Sequence, residues 1–160
     1  MIVVADSGPL HYLLLVDQIL LLRRFYGQVV IPEPVASELS AASSPVIVST
    51  WIAHPPEWAV VTAVSPGQIA SVTDDLDLGE RAAIALAGSL LADLLLIDEA
   101  AGRVEAKRRN LRVTGTLGVL RAGAEQGVVN VADVLDKLRA TSFYADEALI
   151  ASVFGEWLRR

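Results

Sequence analysis

Residues 94–120 read LLLIDEAAGRVEAKRRNLRVTGTLGVL, and the order of segments within them decides the fold class. Leu94-Leu95-Leu96-Ile97 is a continuous apolar run with Asp98 at its carboxyl end. Ala100 to Asn110 follows as a basic helix, Leu111-Arg112-Val113-Thr114 as a short strand, and Gly115-Thr116-Leu117 as the start of a helix reaching about Gly127. A strand with one wet face would alternate apolar and polar residues. An unbroken apolar run instead marks a strand buried on both faces, the habit of parallel strands sandwiched between helices.

The same grammar extends in both directions. Toward the N-terminus, Ile2-Val3-Val4-Ala5 is a buried strand ending in Asp6-Ser7-Gly8-Pro9, a turn and helix start. Leu10 to Phe25 reads as one leucine-rich helix. Gln28-Val29-Val30-Ile31 is a second strand, stopped by Pro32 and Pro34, and Val35 to Ala42 has helical composition. Between them and residue 94, Pro45, Pro55, Pro56 and Pro66 punctuate a stretch with a short helix near Val46–Ala53 and a strand at Trp58–Val64. Asp74 to Glu80 is a loop leading into a helix over Arg81 to Ala92. Two further helices, Val131 to Ala140 and Tyr144 to Leu158, close the chain. The expectation is a three-layer α/β/α domain with a parallel sheet, residues 1–160 forming one domain and about 121–160 a helical C-terminal extension.

Composition narrows the chemistry. At 160 residues the chain suits one core, and 53% hydrophobic against 20% charged residues, with mean hydropathy +0.48, argues against disorder. The most apolar stretch, Ala82 to Ile97, is broken by Gly88, Ser89 and Asp93 and falls short of the about 20 apolar residues of a membrane span. The N-terminus has no basic region of the kind that opens a signal peptide, so a cytoplasmic location without membrane partners is expected. No cysteine is present, which removes disulfides, thiolate zinc sites and cysteine nucleophiles, and two histidines are too few for a histidine metal site. A net charge of −6 gives no overall field attracting nucleic acid, so such binding would need a local patch.

In an open parallel sheet, ligands bind beyond the carboxyl ends of the strands. Asp6 and Asp98 occupy two such ends. Glu38, in PEPVASELSA, and Glu80, in LGERAAIALA, lie on helices after strands and loops that lead to the same edge. Each has a plainer use: Asp6 and Asp98 as helix caps or turn residues, Glu38 on a wet helix face, Glu80 as a first-turn acid favoured by the helix dipole. Together in one cleft, four carboxylates would repel unless cations neutralised them, and an all-oxygen set suits Mg²⁺ or Mn²⁺. Arg103, Lys107, Arg108, Arg109 and Arg112 form the one dense basic cluster, either a phosphate-backbone track or a solvated helix face. Thr114 and Thr116 could donate to phosphate, with Thr116 alternatively capping the next helix. Trp51, Trp58 and Trp157 read as core or interface residues, His11 as a packed helix residue and His54 as a loop residue.

VVADSGPL, VASEL, LGERAAIALA and the 94–120 block, in that order, resemble a PIN-domain protein, the fold of metal-dependent ribonucleases that includes VapC-like toxins; the last block resembles a less characterised branch. The resemblance implies that Asp6, Glu38, Glu80 and Asp98 are the acidic, metal-binding quartet and that Ser7 supports metal or phosphate. It further implies an Mg²⁺- or Mn²⁺-dependent endoribonuclease with RNA as substrate, which Arg103, Lys107, Thr114 and Thr116 are the residues expected to bind, together with a cognate antitoxin as partner and a homodimer as assembly. Two departures stand out: many PIN domains carry Asp where Glu80 stands, and only the adjacent Glu99 follows the fourth acid. The alternative is a PIN-like fold used as a non-catalytic nucleic-acid- or protein-binding module, its carboxylates serving as caps.

Overall fold

The computed structural model describes residues 1–159. In chain order the elements are β1 (Val3–Ala5), α1 (Ser7–Leu15), α2 (Leu20–Tyr26), β2 (Val29–Pro32), α3 (Glu33–Leu39), α4 (Val46–Ala53), β3 (Ala59–Thr62) and α5 (Pro66–Ala70). They continue with α6 (Leu78–Ser89), β4 (Leu94–Leu96), α7 (Ala100–Arg108), β5 (Val113–Thr114), α8 (Thr116–Glu125), α9 (Val131–Arg139) and α10 (Glu147–Leu158). The five strands form one parallel sheet in the order β3-β2-β1-β4-β5, with Val4 in register with Val30 on one side and Leu95 on the other.

Alternation along the strands divides the interior into two cores. Val3, Ala5, Val29, Ile31 and Leu96 point into the larger one, which α1, α2, α4, α8, α9 and α10 fill with Leu10, Leu13, Leu22, Val48, Leu120, Leu135 and Phe154. Val4, Leu95 and Ile97 point the other way, against Ile84 of α6 and Ala106 of α7. Both faces of the central strands are thus dry, which is why they read as unbroken apolar runs.

The leucine-rich N-terminal segment departs from the single helix expected over Leu10 to Phe25. It is two helices separated by a turn in which Gln18 N donates to Leu13 O at 2.7 Å and Asp17 N to Leu14 O at 3.1 Å. This is the Schellman pattern, and Asp17 supplies the left-handed residue it needs with φ 58°. Asp tolerates that region better than most residues. The break turns the chain so that Leu10, Leu13 and Leu14, and then Leu21 and Leu22, all reach the same core.

A second departure is α5, which the sequence reading passed over. Ser65 accepts from Gln68 N while the Gln68 side chain accepts from Ser65 N at 2.9 Å, a complete capping box with Pro66 in the first turn. The last strand is shorter than read, since Leu111 and Arg112 lie outside the ladder, and α10 begins at Glu147 rather than Tyr144. Trp51 and Trp58 pack tilted at 5.8 Å, and both, with Trp157, lie against the larger core as expected. His11 is half-buried, its ring edge-on to Tyr12 at 4.7 Å, while His54 is exposed at the end of α4. Among the described residues no helix is long and apolar enough to cross a membrane.

The C-terminal helices are bound to the sheet through the shared core rather than appended to it: Val131, Val134, Leu135 and Leu138 of α9 and Ile150 and Phe154 of α10 are all buried there. Phe154→Ala is therefore expected to lower unfolding free energy by about 3–5 kcal/mol. Urea denaturation measures this, and a loss under about 1 kcal/mol would show α10 to be a peripheral appendage.

Candidate functional site

From β1 the chain runs outward to β2 and β3 on one side, then returns to lay β4 and β5 on the other. The crevice of such a sheet lies at this reversal, beyond the carboxyl ends of β1 and β4. Asp6 directly follows β1, its N–H donating to Leu96 O at 2.9 Å, and Asp98 lies two residues past the end of β4. Packing of α3 against α6 carries Glu38 and the first turn of α6 to the same edge.

Asp6 is 3% exposed and stands at the N-cap of α1, yet its side chain caps nothing. Its Oδ1 is buried without a hydrogen-bond partner. Burial pushes the carboxyl up to about 8, the Ser7 backbone N–H opposes this, and the charges of Asp77, Glu38 and Glu80 add to the rise. Glu80 is pushed up to about 7 by burial and then by Asp77 and Glu99. Burial and Asp77 also raise Glu38, which the Ser7 hydroxyl partly relieves by donating to it. Gly79 leaves the room for this convergence: a β-carbon there would lie 2.6 Å from Glu38 Oε2 and 3.5 Å from Asp6 Oδ1.

Asp98 has different company. Its Oδ1 accepts from Thr116 N and its Oδ2 from Thr116 Oγ1, both at 2.7 Å, so it caps α8 from across the sheet edge. Burial raises its pKa, while the two Thr116 bonds and the Arg103 guanidinium pull it down. Gly8 and Gly115 pack against the carboxylate, and Arg103 Nη1 donates to Ile97 O at 3.4 Å. The reading of Thr116 as a cap is corrected: Gly115 is the N-cap, and Thr116, fully buried in the first turn, spends its hydroxyl on Asp98 rather than on the helix or on open solvent. Thr114 is half-buried with its hydroxyl against Gly118.

The basic cluster is also partly consumed. Arg108 and Arg109 both bind Glu105, at 2.6 and 2.9 Å, and Arg109 also donates to Ser71 O at 2.8 Å, which ties the end of α7 to the end of α5. They pull the Glu105 carboxyl down to about 2. Arg103 lies half-buried beside Asp98, and among the described residues the exposed Lys107 and Arg112 form no ion pair. Asp77 is the acid that the sequence reading missed. Its Oδ1 accepts from Glu80 N at 2.9 Å, a cap legible in Asp-x-x-Glu at the start of α6.

A five-stranded parallel sheet with helices on both faces is the architecture of PIN-like α/β proteins. Residues 2–158 match the family model DUF3368, described as a PIN domain, and the chain belongs to that family. This is a superfamily of nuclease type. A PilT N-terminus domain protein from the hyperthermophilic archaeon Sulfolobus solfataricus P2 has a similar fold, with TM-score 0.58 at 20% identity over 78% of this chain and 95% of that one. No curated protein matches the chain.

Among the described residues no three acidic or histidine side chains stand ready-made as a metal ligand set. The donor chemistry nevertheless fits a hard divalent cation, because a buried carboxylate oxygen lacking any partner faces further carboxylates and no competing base.

Two predictions follow the two environments. Asp6 titrates at about 8 folded against 3.8 as a free side chain, so the folded state retains a proton that the unfolded chain releases, and stability falls as pH rises from about 4 to 8. In EDTA, Asp6→Asn should melt several degrees above wild type at pH 8 and close to it at pH 4; melting at or below wild type at pH 8 would contradict this burial cost. Thr116→Val should lose about 1.5–3 kcal/mol, the range for a bond to a charged group, and Thr116→Ser, which keeps the hydroxyl and gives up one buried methyl, about 1 kcal/mol, as read by urea unfolding.

Proposed function

We propose that the chain is an Mg²⁺- or Mn²⁺-dependent endoribonuclease and the toxin of a toxin–antitoxin pair. The observation carrying this reading is the buried, unpartnered Oδ1 of Asp6 at the sheet's switch point, facing Glu38 and Glu80. Neutralising that group takes either a proton or a cation, and a cation turns a destabilising cluster into a site.

Asp6, Glu38, Glu80 and Asp98 are the residues that would hold the ion, which when bound supplies an activated water and offsets charge on the leaving oxygen. Asp98 contributes a fixed wall, since Thr116 grips both its oxygens. Ser7 steadies Glu38 through its hydroxyl. Arg103, half-buried beside Asp98, together with Lys107 of α7 and Thr114 of β5, would contact the phosphate backbone of the substrate. Hydrolysis by this route needs no side-chain nucleophile, in keeping with a chain that has no cysteine. A cognate antitoxin would place an Arg or Lys among the acids, replacing the ion's charge, and the toxin would act as a homodimer in the cytoplasm.

A second reading, a non-catalytic binding module, is favoured by one observation: Asp98 already has a structural use as the cap of α8. RNA incubated with purified protein separates the two. The nuclease reading expects cleavage in Mn²⁺ but not in EDTA, and a loss of at least about a hundredfold in Asp6→Asn and Glu80→Gln with unchanged circular dichroism. RNA bound but left intact in Mn²⁺ would establish the module instead. Growth arrest on expression, relieved by Asp6→Asn and by the product of the adjacent reading frame, tests the toxin role.

A further inference from the structure

The sheet has two edges, and the sequence guards only one of them. At the β5 edge the strand is two residues long, Val113–Thr114, and the exposed Arg112 stands directly before it. Short edge strands flanked by charge discourage the addition of a further strand. The β3 edge has neither safeguard. Ala59–Thr62 runs four residues in register with β2, and the surrounding stretch from Trp58 to Val64 reads WAVVTAV, with no charge and no proline. Among the described residues no strand lies beyond it. Val60 and Val61 are each 38% exposed although alternation sends them to opposite faces of the sheet, so the edge is open from both sides.

The phase of the ladder fixes which backbone groups are left over. Val29 N donates to Trp58 O at 2.8 Å, which turns the peptide groups of Trp58, Val60 and Thr62 toward β2 and those of Ala59, Val61 and Ala63 away from it. Ala59 N is already engaged with Pro56 O at 3.0 Å. Val61 therefore presents both its N–H and its C=O outward from the middle of the edge, and the group that satisfies such a pair is another extended backbone.

Resting on the homodimer proposed above, we infer that β3 pairs antiparallel with β3 of a second copy about a twofold axis at Val61. The two Val61 residues then exchange N–H···O bonds, with Val60 opposite Thr62 of the partner subunit, Ala59 opposite its Ala63 and Trp58 opposite its Val64. The nearest charge, Glu57, falls opposite Ser65 of the partner subunit. Two chains of net charge −6 thus meet along a line where no like charges face each other. One continuous sheet runs through both copies. Because the pairing is antiparallel, the carboxyl edges of the two halves lie on opposite sides, so the two crevices open in opposite directions and neither copy completes the other's site.

Sedimentation velocity of the purified full chain, in a series up to about 100 μM, reads the assembly. Wild type is expected to be dimeric. Val61→Lys and Val61→Glu each set like charges directly opposite one another across the axis and are expected to raise the dimer Kd by about tenfold or more. Their far-ultraviolet circular dichroism should be unchanged, since this side chain is already part-exposed. Mixed in equal amounts, the two variants oppose a lysine to a glutamate, and the dimer is expected to return. Val61→Pro, which removes the outward N–H while sparing the β2 ladder, gives a second route to the monomer. If the Val61 variants dimerise as wild type does, the copies meet elsewhere and the inference falls while the homodimer stands. A mixture that stays monomeric overturns the pairing centred on Val61. If wild type is monomeric throughout the series, homodimer and inference fall together, and the edge is left to a strand from another protein.

Discussion

Everything at the carboxyl edge of this sheet is organised around one expensive placement: a carboxylate at the end of the most deeply buried strand, with an oxygen that the protein leaves unsatisfied. Val3, Val4 and Ala5 are fully buried, so the residue after them enters the crevice already stripped of water. A neutral side chain would fit the same position at lower free energy. The rest of the edge compounds the cost by bringing Glu38 and the start of α6 toward Asp6 instead of offering it a donor. Local destabilisation of this kind concentrates where a ligand supplies the missing interaction.

The acids divide by the company they keep: some have hydrogen-bond or ion-pair partners and some do not, although burial raises Asp98 as it raises Asp6, Glu38 and Glu80. Asp6, Glu38 and Glu80 crowd beside the charge of Asp77 at the start of α6, and burial makes these three carboxyls protonate more readily than free ones. Asp98 and Glu105 are the paired acids. The first is gripped by Thr116 and eased by Arg103; the second is enclosed by Arg108 and Arg109, of which Arg109 also ties the end of α7 to the end of α5. The fold therefore separates acids that fasten helices from acids that crowd, although both kinds lie near one edge.

Much of this was legible because it is local. Apolar runs ended where carboxylates began at Asp6 and Asp98, and α4 spans Val46–Ala53 as its composition suggested. The break after Leu15 escaped notice because a run of leucines hides a Schellman turn whose left-handed residue is Asp17 rather than glycine. α5 carried a readable signal in Ser65, Pro66 and Gln68 that its short length and Pro-Gly surroundings obscured. Arg108 and Arg109 looked like a phosphate track, although Glu105 three and four positions earlier gives them an internal partner. The bond from Thr116 to Asp98 spans 18 residues and two changes of element, beyond any local pattern.

That last bond ties together the history of the fold and the history of the site. Asp98 fastens β4 to the start of α8, so its removal damages the scaffold whether or not chemistry occurs nearby. Asp6 fastens nothing with its side chain. A lineage released from selection for catalysis would thus shed Asp6 early and retain Asp98 long afterward. Within this family, the identity of the residue after β1 would distinguish working members from retired ones more sharply than the acid after β4, which the scaffold needs for its own sake.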